Sequence, residues 1–306
     1  MREKIQRLAR EQGYTSNPVV SRVLSRYRSG SPHLGTLAFV HTSANPGDHE
    51  LESVRTWLQS ATNRAMELGY QVDTFALGKN DITPGRLAGI LEARGIQGLL
   101  LAGPFRHNTI PREFAALWKN AACVVLGERT LSPALSCVLN DQFATARQAM
   151  EEILARGYAR PGLCLHPDLD GVLEGRFRAG YLLGREPLPA RIPVFDFTPA
   201  AERSFVEWVR QWNPDAILTL HPEILSWCRS AGFSSIGLAH LDISSPHGRW
   251  AGMQQDNEHV GSAAVELLIG QLHFHTQGVP AFQQCLQLGS HWRNGPSLPR
   301  KRSARG

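Results

Sequence analysis

Three polar residues follow short apolar stretches that have the length of β-strands: His41, His221 and Asp242. Side chains of this kind at strand ends can exchange hydrogen bonds with the hydroxyls of a small polar ligand such as a sugar. An aromatic ring, for which Phe105 is the candidate, can cover the ligand's C–H face. Each of these residues also has a structural alternative. An aspartate after a strand is more often a turn residue or helix cap, and a histidine there is as often structural as ligand-binding. Phe105 fits packing in the hydrophobic core.

No catalytic motif accompanies these residues. The sequence contains no GxxxxGK[ST], GxGxxG, GxSxG or HExxH. His273 and His275 are close together late in an amphipathic segment, but no third ligand is near them in sequence. We therefore expect a binding protein without enzymatic activity, metal or cofactor. The remaining alternative is an enzyme on the same scaffold, which would turn over a bound sugar and depend on Asp242.

The elements that must position these side chains alternate between strand and helix from residue 35 onward. The predicted strands are 35–41, 70–76, 98–102, 123–127, 162–166, 192–195, 215–220, 235–239 and 283–288. The predicted helices are 51–68, 84–94, 142–156, 174–183, 200–212, 222–230 and 258–273. Two sets of such units predict an α/β fold, with two doubly wound parallel-sheet lobes and a ligand cleft between them.

The first 33 residues are strongly basic. They hold seven Lys or Arg and two Asp or Glu, whereas the rest of the chain holds 25 of each kind. Two helices are predicted here, at 2–12 and at 18–26, the second with Asn17 as its N-cap, and residues 29–32 form a linker. A basic arm of this kind suits contact with DNA phosphates, and its alternative is a disordered, solubilising segment.

Composition indicates a cytoplasmic protein. No run of apolar residues approaches the roughly 20 that a membrane span requires, and the N-terminus lacks the apolar core of a signal peptide. The five cysteines are scattered without a CxxC pair. Free buried thiols in a reducing compartment are the expected state.

Several segments, in order along nearly the whole chain, resemble the LacI/GalR family of bacterial transcription repressors. REKIQRLAREQGYTSNP is similar to the third headpiece helix of that family, and NPVVSRVLSRYRSG to its hinge helix. LNDQFATARQAMEEILARGYARPGLCL resembles the signature that crosses between lobes. PDAILTLHPEILSWCRSAG, SSIGLAHLD, DNEHVGSAAVELL and GSHWRNGPSL are similar to later segments of the family.

The resemblance implies a homodimer whose paired hinge helices enter the DNA minor groove. Leu24 would wedge between base pairs, or alternatively cover its own lobe, and Arg22 would contact the groove or a phosphate. The implied DNA-contacting set is Asn17, Val20, Ser21, Arg22, Leu24 and Arg26. A complete headpiece of the family has about 25 further residues that form a recognition unit. We expect those first two helices to be lacking here.

The resemblance also implies a set of effector-binding residues at the cleft. Asn140 and Asp141 stand where the family has Asp followed by Asn, so the pair is swapped. Arg176 is the candidate for an arginine that reaches the ligand, although Phe177 occupies the family's spacing. With His41 and His221, which are chosen because they end strands, the predicted effector-binding set is His41, Asn140, Asp141, Arg176, His221, Asp242 and Gln255.

These observations predict three segments. Residues 1–33 are a headpiece remnant and hinge helix, 34–141 with 254–282 the N-terminal lobe, and 142–253 with 283–306 the C-terminal lobe and basic tail. The predicted function is a ligand-responsive repressor that binds operator DNA as a homodimer and a sugar or sugar derivative in its cleft. The alternative is a cytoplasmic small-molecule-binding protein of the same fold without specific DNA binding.

Overall fold

The structure is a computed structural model that describes residues 33–42, 50–77, 82–103, 105–186, 188, 191–243 and 248–301. The residues implied to contact DNA lie outside this part of the chain. They are Asn17, Val20, Ser21, Arg22, Leu24 and Arg26. None of the described helices is both long and apolar enough to cross a membrane.

The described strands are numbered in chain order. They are β1 (Gly35–Thr42), β2 (Tyr70–Leu77), β3 (Gly98–Ala102), β4 (Ala122–Leu126), β5 (Ser136–Asn140), β6 (Pro161–Leu165), β7 (Phe195–Asp196), β8 (Ala216–Thr219), β9 (Gly237–His240), β10 (Ala251–Gln255), β11 (Cys285–Leu288) and β12 (Ser290–Arg293).

The described α-helices are numbered likewise. They are α1 (Glu50–Glu67), α2 (Pro84–Ala93), α3 (Ala115–Trp118), α4 (Gln142–Ala155), α5 (Pro167–Val172), α6 (Arg176–Gly184), α7 (Glu202–Trp212), α8 (Glu223–Ser230) and α9 (Asn257–His273). Short 3₁₀ turns at Arg106–Asn108 and Arg112–Phe114 precede α3.

The described strands form two six-stranded sheets. The first has the order β11-β5-β4-β3-β1-β2 and is parallel throughout. The second has the order β12-β10-β9-β8-β6-β7, with β12 antiparallel to β10. Each sheet carries apolar clusters on both faces, so its central strands are buried and continuously hydrophobic. The predicted α/β fold with two doubly wound lobes is confirmed.

The chain passes between the two lobes at three places, after Asn140, after Gln255 and between Leu288 and Ser290. The first and third crossings lie side by side, because the backbone N–H of Asp141 donates to the carbonyl of Leu288 at 2.8 Å. We call these three crossing segments the hinge.

The strand pairing corrects the predicted lobe boundaries at residues 254 and 283. Residues 254–255 end β10 in the second sheet, whereas β11 pairs with β5 in the first. The chain therefore crosses immediately after each of these strands, at Gln255 and at Gly289. The short strands β10 and β12 were not predicted, because glycine and glutamine in one and polar residues in the other do not form an apolar run.

Two further predictions differ from the structure. Residues 192–194 do not join the sheet, because the carbonyls of Ile192 and Pro193 accept hydrogen bonds from Arg185 Nη1 and Trp208 Nε1. Four of the five cysteines are buried as expected, but Cys285 is exposed because β11 is an edge strand.

Candidate functional site

The carboxyl ends of the parallel strands place polar side chains where the two lobes meet. Thr42 and Asn140 end β1 and β5 of the first lobe. His166, His221 and Asp242 follow β6, β8 and β9 of the second. In parallel α/β sheets this edge is where ligands bind, so the sequence has its polar groups at the expected place.

Asn257, the first residue of α9, connects the lobes through its buried side chain. Its Oδ1 accepts hydrogen bonds from Asn140 Nδ2 at 2.9 Å and from Trp57 Nε1 at 3.3 Å, both in the first lobe. Its Nδ2 donates to Asp242 Oδ2 at 3.0 Å, in the second lobe. Asn140 and Asp242, two of the predicted site residues, are thereby brought together through a third side chain.

Buried acceptor oxygens remain at this edge and in helix α5, which follows β6. Within the described part of the chain, Thr42 Oγ1, Asn140 Oδ1 and Asp170 Oδ1 have no hydrogen-bond partner. Asn140 and Asp170 are 5% and 7% exposed, so water reaches them poorly. An unsatisfied buried polar atom costs about 1–3 kcal/mol, which a ligand that donates hydrogen bonds would recover.

Three histidines stand at the ends of the adjacent strands β6, β8 and β9. The backbone N–H of His166 donates to His221 Nε2 at 3.1 Å, and the His221 ring is stacked on Phe197 with centroids 3.7 Å apart. His240 Nδ1 accepts from the backbone N–H of Asp242 at 3.1 Å. No group of three or more described His, Cys, Asp or Glu side chains is placed to hold a metal ion.

The environment of His221 and His240 keeps both rings neutral. Burial, together with repulsion from His166 and His240, lowers the pKa of His221 to about 4, and burial lowers the pKa of His240 to about 4. Both rings accept a backbone hydrogen bond on one nitrogen, which only a neutral imidazole can do. His221 therefore has structural contacts with His166 and Phe197.

Acidification is expected to destabilise the protein through these histidines. Their folded pKa values lie below the ordinary 6.5, so the unfolded chain takes up protons first. Their contribution to the free energy of unfolding is complete above about pH 6.5 and is lost as the pH falls towards 4. Because both rings keep some solvent contact, we expect a loss of roughly 1–3 kcal/mol in unfolding free energy between pH 7 and pH 5.

Urea unfolding at pH 7, 6 and 5 would measure this loss. The double variant His221→Gln, His240→Gln should show a flatter pH profile than the wild type. His259→Gln is the control, because His259 is exposed and Asp256 raises its pKa, which acts in the opposite direction. If the stability of the double variant fell with pH as steeply as that of the wild type, His221 and His240 would not be the cause of the acid sensitivity.

An ion-pair cluster closes the lobes against each other at a second place. Arg129, which follows β4 in the first lobe, pairs through both Nε and Nη2 with the carboxylate of Glu174 in the second lobe. Arg176 Nη2 donates to the same carboxylate at 3.0 Å. Hydrogen bonds from these two arginines lower the pKa of Glu174 and keep it ionised. We call these three residues the interlobe latch.

A buried asparagine supports the latch. Asn108 is 3% exposed, and its Nδ2 donates to the carbonyl of Arg129 at 2.8 Å and to that of Val172 at 2.7 Å. One amide therefore bridges the backbones of the two lobes. The described conformation is one in which the lobes are in contact on this side.

The remaining predicted residues have assignable contacts. Asp141 Oδ1 accepts the backbone N–H of Ala144 at 2.9 Å as the N-cap of α4. Gln255 is buried, and its Nε2 donates to the carbonyl of Leu241 at 3.1 Å. Arg176 belongs to the latch, and His41 lies at the end of β1 beside β3. Phe105 packs edge-to-face on Phe114 in the core, as its alternative proposed.

Sequence reasoning missed the residues that connect the lobes. Asn257 directly follows Asp256 at a helix start, where an asparagine gives no specific signal. Arg129 and Glu174 are 45 positions apart, and only the folded chain brings them together. Among these three residues, only Arg129 comes shortly after an apolar strand, β4, so it alone gave a signal in the sequence.

Comparison with known proteins gives the fold. No family model and no curated protein matches the sequence. Among solved structures, the chain is similar to a transcriptional regulator CelR–cellobiose complex, with TM-score 0.64, 18% identity, and 97% of this chain and 90% of that one covered. The lac repressor dimer bound to operator and the anti-inducer ONPF matches with TM-score 0.64 and 17% identity, and the match covers 94% of this chain and 99% of that one.

The trehalose repressor from Escherichia coli matches with TM-score 0.64 and 17% identity, covering 86% of this chain and 100% of that one. Identities this low establish the fold and nothing finer. The two-lobed fold described above is the one that LacI-type transcription regulators have.

Proposed function

We propose that this chain is a ligand-responsive transcription regulator of LacI type, which binds a sugar or sugar derivative between its lobes. The observation that carries the proposal is a set of buried acceptor oxygens in both lobes. They lie on Thr42 and Asn140 at strand ends of the first lobe, and on Asp170 in helix α5, which follows β6 of the second lobe. A polyhydroxylated ligand would donate to acceptors from both lobes at once. Solved structures of this fold include one with cellobiose and a trehalose repressor, which supports a saccharide as the ligand class.

Ligand binding would act by stabilising one arrangement of the lobes. A ligand with contacts on both sides of the cleft favours the closed form by its difference in affinity for the two forms. The hinge crossings at Asn140 and Gln255 lie beside the network of Asn257, so a lobe rotation would change these contacts. In the proposed mechanism this rotation orders or releases the paired DNA-binding helices that the sequence predicts around Leu24 and Arg22, and so changes DNA affinity.

The proposed partners are operator DNA, the small effector and a second copy of the chain, in the cytoplasm. Support for DNA and for a dimer comes from the sequence of residues 1–33, and from a solved dimer of the same fold bound to its operator. Basic residues at the N-terminus would contact phosphates, so binding should weaken steeply with salt.

Loss of one hydroxyl in the cleft should weaken saccharide binding selectively. Thr42→Val removes Oγ1 and keeps the shape of the side chain, so we expect saccharide affinity to fall roughly 5- to 10-fold, equivalent to about 1 kcal/mol. Thr62→Val is the matched control, because Thr62 Oγ1 donates within α1 to the carbonyl of Leu58 at 2.8 Å. Isothermal titration would measure both, and equal affinities in the two variants would contradict the assignment.

A DNA-capture experiment tests the regulatory part of the proposal. Purified protein is mixed with fragmented DNA of its own genome at about 50 mM salt, with and without cellobiose, trehalose and other saccharides, and bound fragments are sequenced. The proposal predicts enrichment of one or a few related sites that a saccharide strengthens or weakens. Saccharide binding without any enriched site would favour the alternative, a binding protein of this fold without specific DNA recognition.

A further inference from the structure

Cys137 and Cys285 lie directly opposite each other on the neighbouring strands β5 and β11. Their Sγ atoms are 2.9 Å apart. Neighbouring strands are about 4.8 Å apart, and a disulfide accepts Cα separations of about 4.4–6.8 Å. The two sulfurs could therefore be joined with little movement of the backbone.

The two thiols have different access to solvent. Cys285 is exposed on the edge strand β11, whereas Cys137 is fully buried. Burial and the hydrogen bond with Cys285 raise the pKa of Cys137, and this effect is opposed by the nearby cations of Arg176 and Arg129. Cys285 is thus placed to meet a reagent from solvent, and Cys137 to react with it afterwards.

We propose that Cys137 and Cys285 form a redox-sensitive pair, which a hydroperoxide converts into an intramolecular disulfide. The Cys285 thiolate attacks one peroxide oxygen, and the O–O bond breaks to leave a sulfenic acid and, with the thiol proton, one water. Cys137 sulfur then attacks Cys285 sulfur, and the displaced hydroxide leaves as a second water with the Cys137 proton. Two thiols and one hydrogen peroxide give one disulfide and two waters, with two electrons passing to the peroxide.

The bond would act at the hinge. β5 runs into the first crossing at Asn140 and β11 into the third at Gly289, and the two segments already share the hydrogen bond between Asp141 and Leu288. Residues 137 and 285 are separated by 148 in sequence, and the loop that a link between them closes includes most of the second lobe. The disulfide would hold the first and third crossings together. It would also stabilise the folded protein, because it lowers the conformational entropy of the unfolded chain. This inference does not depend on the proposed function.

Hydrogen peroxide treatment of the whole protein tests the pair. After treatment the protein is denatured, alkylated with N-ethylmaleimide, digested and analysed by mass spectrometry. We expect a linked peptide containing Cys137 and Cys285, a mass lower by about 2 Da before alkylation, and reversal by dithiothreitol. The melting temperature should rise by roughly 5 °C or more in the oxidised protein.

Three single variants make the test specific. Cys285→Ser, on the exposed edge strand, should abolish both the linked peptide and the rise in melting temperature, as should Cys137→Ala. Cys123→Ser, at another buried thiol, should retain both. The proposal is overturned if Cys285 accumulates as a sulfinic acid while Cys137 stays alkylatable, if Cys285 links two molecules, or if no linked peptide forms.

Discussion

Asn257→Ala should be among the most destabilising single substitutions in the described part of the chain, lowering the unfolding free energy by about 2–4 kcal/mol. The side chain serves three partners in two lobes, the indole of Trp57, the amide of Asn140 and the carboxylate of Asp242. Truncation removes one acceptor and one donor from a site that is 7% exposed, so water replaces them poorly. Urea unfolding monitored by circular dichroism measures the effect.

The matched control is Asn63→Ala on α1. The Oδ1 of Asn63 accepts a hydrogen bond from Gln59 at 2.9 Å on the exposed helix surface, so its loss should change stability by no more than about 0.5 kcal/mol. If both substitutions lowered the free energy of unfolding equally, the hydrogen bonds of Asn257 would not stabilise the contact between the lobes.

Asn257→Asp separates the two halves of this network. It keeps an oxygen that can accept from Trp57 and Asn140, but it places a second carboxylate where the amide now donates to Asp242 at 3.0 Å. Two carboxylates this close cannot both ionise without a large penalty. This variant should therefore lose stability relative to the wild type as the pH rises from 5 to 7, while Asn257→Ala should show no such trend.

Disruption of the interlobe latch should open the protein. Glu174→Gln leaves Arg129 and Arg176 without their shared carboxylate, while the backbone bridge through Asn108 remains. We expect a larger radius of gyration in small-angle scattering. Saccharide affinity should fall roughly 5- to 30-fold, because only the closed fraction binds with full affinity.

A double-mutant cycle isolates the pair itself. Arg129→Met and Glu174→Gln should show a coupling energy of about 1–2 kcal/mol in unfolding, falling as salt is raised, since the side chains are 35% and 20% exposed. The same cycle on Arg147 and Glu151, an exposed pair on α4, should give about 0.5 kcal/mol or less. A coupling no larger than that of the surface pair would mean that the latch does not hold the lobes.

The sequence predicted the regular elements well because their periodicity is local. Strand β3 and helix α4 were placed within one residue, since an apolar run or an amphipathic segment ending at glycine contains its own signal. The strands β10 and β12 of the second sheet pair with each other across about forty residues of chain, and their residues form no apolar run.

The candidate site was predictable in position but not in contacts. The fold places strand ends in the cleft, so His221, Asn140 and Asp242 could be chosen from the sequence. Which of them binds a neighbour instead of a ligand depends on Phe197, His166 and Asn257, whose proximity exists only after folding. Asn140 and Asp141, whose order is the reverse of the family's, illustrate this. Asp141 caps α4, whereas Asn140 hydrogen-bonds to Asn257 between the lobes.

Isothermal titration of the whole protein with a panel of mono- and disaccharides, including cellobiose and trehalose, tests the central claim most directly. The panel is run on the wild type, Thr42→Val and Thr62→Val. The account predicts that at least one saccharide binds the wild type and Thr62→Val with equal affinity, and Thr42→Val roughly 5- to 10-fold more weakly. Absence of binding across the panel, or binding that Thr42→Val leaves unchanged, would contradict a saccharide site between the lobes.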